Sequence, residues 1–270
     1  MTTSWVWLSA AALATGLVGG TISGLLGVGG GIVIVPVLEA ALGSLGVDAT
    51  VRMPIAVATS LATIVPTSIS SFRAHHRRDA VDLDVARLWA PAIAVGAVVG
   101  SVLAARASAR LLTGVFGAVA ALMAIKMLLP LDGKALAQAV PRGFWGRSLP
   151  FAIGVVSSMM GIGGGTFSVP ALTLLNQPVH RAVGTANLLG LAIAIPGTIG
   201  YLFARPRAPV PAGTIGLVSL TSFLLLAPAA VLAAPLGARL AHRLDRRRLS
   251  AVFGVFLGIV AVRMLLRTFA

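Results

Sequence analysis

No cysteine occurs in this sequence. That excludes disulfides, thiolate metal sites and thiol redox chemistry. Charged residues are also scarce, at 10% of the chain, against about 25% in an average soluble domain. Only seven are acidic. With 57% hydrophobic residues and a mean hydropathy of +0.98, there is too little polar material to coat a water-soluble globule of 270 residues. The bilayer is the expected solvent for much of the surface.

Basic residues dominate the little charge there is, giving a net +14. In a soluble chain this would suggest nucleic acid. Here the basic residues fall between apolar runs, as at Arg73–Arg78 and Arg239–Arg248. That is the pattern of cytoplasmic loops in membrane proteins, so no nucleic-acid partner is expected. No Gly-Lys-[Ser/Thr] follows either glycine run, which disfavours a nucleotide P-loop. No Ser-His-Asp or metal-ligand constellation is visible, so neither an enzyme nor a cofactor or metal is expected.

Apolar runs fall at about 5–26, 28–43, 51–72, 85–105, 109–130, 149–160, 164–176, 183–204, 213–236 and 249–266. Open sheets cannot sit in lipid, so these read as helices. A full span takes ~20 residues; the runs 28–43 and 164–176 are shorter and read as half helices. The fold class expected is an all-α polytopic membrane protein with about 8–10 membrane segments. The first run lacks a basic segment before it and leads into a glycine motif that recurs, so it reads as part of the mature fold rather than a signal peptide.

The chain repeats itself. Gly27-Val-Gly-Gly-Gly-Ile-Val-Ile-Val-Pro36 matches Gly161-Ile-Gly-Gly-Gly-Thr-Phe-Ser-Val-Pro170, and Ser23 matches Ser157 in the same register. Gly100–Leu129 aligns without a gap on Gly237–Leu266, pairing Arg106 with Arg243, Phe116 with Phe253 and Lys126 with Arg263. A weaker match sets Ala58-Thr59-Ser60 against Gly184-Thr185-Ala186 and is free to slip by a turn. The expected organisation is a first repeat at 1–130, a polar linker at 131–147 and a second repeat at 148–270. An odd number of spans per unit inverts the second copy. With the 73–87 loop inside, 14 of the 21 basic residues fall on that side, as the positive-inside rule prefers. An even unit would put the 239–248 cluster outside. Inverted repeats are therefore expected, with both chain ends outside.

The two breaks carry the chemistry. Gly29–Gly31 and Gly163–Gly165 cost helix propensity and expose backbone. Such backbone is tolerated at membrane depth where it lines a cavity or is buried in protein. A helix restarting after a break offers free N–H groups and the positive end of its dipole, which makes an anion site from backbone alone. Paired interrupted helices in inverted repeats point to a transport site near the midplane. The bland alternative is close helix packing through small residues. Candidate substrate-binding residues are Gly27, Gly29, Gly30, Gly31, Pro36, Gly161, Gly163, Gly164, Gly165 and Pro170. Thr59, Ser60, Thr185 and Asn187 add uncharged donors, with interhelical hydrogen bonding as the alternative use.

Glu39 is the one acid inside an apolar run. An intramembrane carboxylate is by default a functional hypothesis, here proton coupling, unless its short helix lets it snorkel to an interface. His75 and His76 lie in a basic stretch and read as part of a solvated loop; adjacent histidines face different ways on a helix and suit no metal.

At the glycine motifs, GLLGVGGGIVIVPVL (Gly24–Leu38) and SSMMGIGGGTFSVPAL (Ser157–Leu172), the chain resembles the sulfite exporter TauE/SafE family. The ATS at 58–60, a following proline and the basic loop fit as well. The resemblance runs through both halves. It implies a multi-pass permease of the cytoplasmic (inner) membrane for sulfur-containing anions such as sulfite or sulfonates. The partners implied are a small anion and the lipid bilayer; a homodimer is left open. The function expected is secondary transport by alternating access. A non-transporting scaffold or partner subunit, or an anion channel, are the alternatives: a solid apolar interior would favour the scaffold, a continuous wet pore the channel.

Overall fold

The computed structural model describes residues 2–26, 29–129, 143–240 and 246–269. Gly27 and most of the expected linker, residues 130–142, lie outside the described residues. Ten helices account for nearly all of what is described: α1 (Thr2–Leu26), α2 (Gly31–Ser44), α3 (Ala49–His76), α4 (Leu83–Arg106), α5 (Ala109–Leu128), α6 (Phe144–Met160), α7 (Gly165–Leu174), α8 (Val179–Leu202), α9 (Leu220–Leu240) and α10 (Arg246–Phe269). Each of the ten apolar runs corresponds to one helix. Among the described residues, five of the helices, α3, α4, α5, α8 and most of α9, are long and apolar enough to cross a membrane. The chain is an all-α, multi-pass membrane protein.

Scarce polar residues mark the helix starts. Asp48 accepts from the Thr50 N–H at 2.8 Å ahead of α3. Asp82 accepts from Asp84 and Val85 N–H ahead of α4. Ser108 Oγ accepts from Leu111 N–H ahead of α5. Each satisfies a backbone donor that the first helical turn leaves free.

One expected apolar run begins differently. Residues 213–219 form a small hairpin before α9, with β1 (Thr214–Ile215) antiparallel to β2 (Val218–Ser219). Gly216 takes φ 57° in its two-residue turn, a conformation glycine adopts without a Cβ penalty. The hairpin sits on the end of α8: Leu217 N–H donates to Tyr201 carbonyl at 3.1 Å. Every backbone group must find a partner away from water, and this hairpin finds them in its own pairing and on α3 and α8.

Helix α3 and α8 are the inner pair, burying 72% and 61% of their apolar windows against 28–39% for α4, α5 and α9. They run antiparallel: Leu61 lies against Gly197, Ser68 against Gly190 and His75 against Gly184. Helices α5 and α10 are also antiparallel, with Leu265 against Gly117 and Leu128 against Gly254. Helix α1 runs parallel to α9, with Ala229 at Gly16 and Thr21 at Gly237. Helix α4 runs parallel to α6, with Phe151 at Gly96 and Ser158 at Gly100. Missing side chains at these glycines let the backbones approach, the usual means of helix association where lipid removes the hydrophobic drive. The outward faces stay apolar, with Val95, Leu224, Leu232 and Ile259 all more than half exposed.

His75 departs from expectation. It is not part of a solvated loop but 3% exposed, with Nε2 3.1 Å from Gly24 carbonyl. Helix α3 runs one turn further than the apolar pattern indicates, because the packed end of α1 covers that turn.

Candidate functional site

The two glycine breaks meet. A Cβ placed on Gly29 would stand 2.7 Å from Gly163 Cα. One on Gly31 would stand 2.1 Å from Gly161 carbonyl oxygen and 2.9 Å from Ser60 Oγ. Gly29, Gly30 and Gly161 adopt φ of 77°, 72° and 68°, the left-handed region that side chains disfavour. Glycine is needed here twice over, for conformation and for close approach. Ser60, in the middle of α3, donates to Gly161 carbonyl at 2.7 Å and ties the first half to the second break.

Helix α2 restarts at Gly31 and α7 at Gly165, each directly after its break. Neither N-terminus has a side-chain cap. The first full-turn bonds are Ile34 N–H to Gly30 carbonyl and Ser168 N–H to Gly164 carbonyl. The N–H groups of Gly165, Thr166 and Phe167 precede the α7 bond and have no acceptor one helical turn back among the described residues. Pro36 and Pro170 occupy the sixth position of each short helix. Proline lacks an N–H, so the carbonyls of Ile32 and Thr166 also lose their helical donors.

Around the breaks lie buried polar atoms without a hydrogen-bond partner: Ser23 Oγ, Ser157 Oγ, Thr166 Oγ1, Ser168 Oγ and Asn187 Oδ1. Leaving a buried polar atom unpaired costs about 1–3 kcal/mol each. Ser23 and Ser157 end the helices that lead into the two breaks; Thr166 and Ser168 belong to the first turn of α7. Asn187, on α8, uses its amide nitrogen on Val183 carbonyl at 2.9 Å.

The other expected ligands are placed elsewhere. Thr59 Oγ1 accepts from Ser219 N–H at 3.0 Å, fastening the hairpin to α3. Thr185 Oγ1 accepts from Asp82 N–H at 2.8 Å and holds the α3–α4 connection. Gly27 lies outside the described residues. Glu39 is eight residues along α2 from Gly31, about 12 Å at helical rise. It is buried and paired with Arg267 on α10, one of the two Nη1–carboxylate contacts being 2.7 Å.

The register between halves also shifts by a turn. α3 starts at residue 49 and α8 at 179, and their prolines are Pro66 and Pro196; both give an offset of 130. On that offset Ser60 corresponds to Gly190, and Thr59 to Leu189, rather than to the triplet at 184–186. Thr166 and Ser168, missed as candidates, correspond to Ile32 and Ile34 at the break's own offset of 134. Their signal in the sequence was two hydroxyls directly after the second glycine run. The hydroxyls near the breaks thus come from unlike positions: Ser60 from the middle of α3, and Thr166 and Ser168 from the first turn of α7.

A family model described as Sulfite exporter TauE/SafE matches residues 12–264. A protein named "Probable membrane transporter protein" from Haemophilus influenzae is 29% identical, covering 94% of this chain and 97% of its own. Another of that name from Xylella fastidiosa is 30% identical, covering 94% of each. "Probable membrane transporter protein YunE" from Bacillus subtilis is 24% identical, covering 93% of this chain and 94% of its own. No solved structure matches.

Proposed function

The chain belongs to the sulfite exporter TauE/SafE family, and from that premise we propose that it is a secondary transporter of small sulfur-containing anions, sulfite or organosulfonates, across the cytoplasmic membrane. The observation that carries this reading is the meeting of two buried glycine breaks, each followed by an uncapped helix N-terminus, beside unpaired hydroxyls. An oxyanion satisfies both sets of donors at once. Free N–H groups and dipole ends supply positive potential, and Ser157, Thr166 and Ser168 supply hydroxyl donors. No charged ligand is required, which suits a substrate that has to leave again.

Alternating access follows if the halves are inverted repeats that rock about this site. The antiparallel pairs α3–α8 and α5–α10, and the matched parallel pairs α1–α9 and α4–α6, are what a pseudo-two-fold axis in the membrane plane would generate. With the 24-residue α10 taken as the third span of the second unit, and α1–α2 and α6–α7 as broken pairs, each unit has the odd count inversion needs. Glu39 is the carboxylate a coupled proton would use, through opening of its pair with Arg267.

Proteoliposome flux of sulfite, sulfonates and sulfate, with and without a pH gradient, tests the proposal. Substrate-dependent flux is expected; its absence under every gradient would leave the scaffold reading. Glycine-to-leucine changes at Gly30 and Gly164 would meet backbone at 2.5 and 2.6 Å and threaten folding. Thr166→Val and Ser168→Ala keep the packing and isolate the hydroxyls. Each is expected to raise KM roughly tenfold or more, the worth of a hydrogen bond to a charged group.

A further inference from the structure

Arg87 and Arg147 stand at one end of an open groove of about 700 Å³ between α4 and α6. The rest of its wall is mainly apolar, including Leu88, Ala92, Val95 and Phe151. On α4 the sequence positions 88, 91, 92 and 95 fall on one helical face, a stripe about 10 Å long at helical rise. Because α4 and α6 are parallel, both arginines lie within the first turn or so of their helices, at the same end of the bundle. Both guanidinium groups are exposed, and the apolar stripe leads from them toward the middle of the spans.

We propose that this groove is a binding site for one anionic phospholipid. The phosphate would sit between Arg87 and Arg147, and an acyl chain would lie along Leu88, Ala92, Val95 and Phe151. The charge and the apolar stripe are arranged in the order a lipid presents them. A soluble anion would use the arginines alone and leave the stripe to no purpose. Guanidinium groups bind phosphate oxygens bidentately, and basic pockets between membrane helices favour anionic headgroups. The N-termini of α4 and α6 point to the same end and add their dipoles. Among the described residues Asp84, 3.6 Å from Arg87, is the acid paired with it, and that pair is exposed, with side chains 77% and 95% accessible. Exposed pairs contribute little and yield readily to a better-placed anion.

The test is native mass spectrometry of the full chain, purified in detergent, with equal amounts of phosphatidylglycerol and phosphatidylcholine. One phosphatidylglycerol per chain is expected, preferred roughly tenfold or more over phosphatidylcholine. The double variant Arg87→Gln/Arg147→Gln should lose the preference. Ala92→Phe, with both arginines intact, should lower retention of phosphatidylglycerol by filling the groove. Arg110→Gln, an exposed arginine on α5, should behave as wild type and so exclude an effect of total charge. Equal retention of both lipids, or unchanged preference in the double variant, would overturn the proposal. So would displacement by millimolar inorganic phosphate, which would make a free anion the ligand. A dimer in the same detergent that shields a Val95→Cys thiol from maleimide would assign the groove to a second copy instead.

Discussion

Ser60 donates its hydroxyl to the carbonyl of Gly161 at 2.7 Å, across 101 positions of sequence. The bond passes from the middle of α3 to the break in the other half. Both partners are buried. Gly161 itself is held in the left-handed region at φ 68°, so this bond fixes a backbone conformation as well as a contact.

Ser60→Ala removes that donor and leaves a buried carbonyl behind. A loss of about 1–3 kcal/mol is expected, the cost of an unpaired buried polar group. Thermal unfolding in detergent reads it. Unchanged stability would mean that the carbonyl finds water, and that the break is wetter than its burial indicates.

Gly31→Ala and Gly46→Ala separate close approach from backbone strain. At Gly46 a Cβ meets nothing within 4 Å, so only its φ of 74° opposes alanine, costing about 1–2 kcal/mol. At Gly31 the Cβ would stand 2.1 Å from Gly161 carbonyl. Flux should survive Gly46→Ala and fail with Gly31→Ala, with yield after size exclusion reporting folding. Equal tolerance at both sites would refute the close contact of the breaks.

Glu39→Gln examines the pair with Arg267. If this carboxylate carries the coupled proton, the variant exchanges substrate downhill but no longer responds to a pH gradient. A retained gradient response, with lowered thermal stability rescued by Glu39→Gln/Arg267→Gln, would make the pair a tether between α2 and α10 only.

Thr59→Val deletes the acceptor that holds Ser219 N–H. The hairpin at 214–219 should loosen, seen as faster amide exchange at Ser219 with exchange in α8 unaltered. Protection as in wild type would show that the Leu217–Tyr201 bond suffices alone.

Single cysteines test inversion directly, because the chain has no cysteine to remove first. Ser44→Cys, at the end of α2, and Asn176→Cys, just beyond α7, are both exposed. Inverted repeats put them on opposite sides of the membrane. An impermeant maleimide should label one from outside intact cells and the other only after permeabilisation. Labelling from the same side would refute the inversion.

Membrane embedding, the ten helical segments and the position of both breaks were legible in the sequence. Hydrophobicity and glycine runs are local properties, and in lipid they dictate local outcomes: apolar runs must close their own hydrogen bonds as helices, and triple glycines interrupt them. Tertiary structure alone decided which hydroxyls face the breaks. Thr59 and Ser60 are adjacent, yet about 100° of helical rotation sends one to the hairpin and the other to Gly161. Thr185 was claimed by a loop 103 positions away, and Glu39 by an arginine 228 positions away. Such partners are set by how helices pack around one another, which periodicity within a single helix does not encode. The shortage of charge and the long apolar runs decided the solvent and the class; the meeting of two glycine breaks made the candidate site.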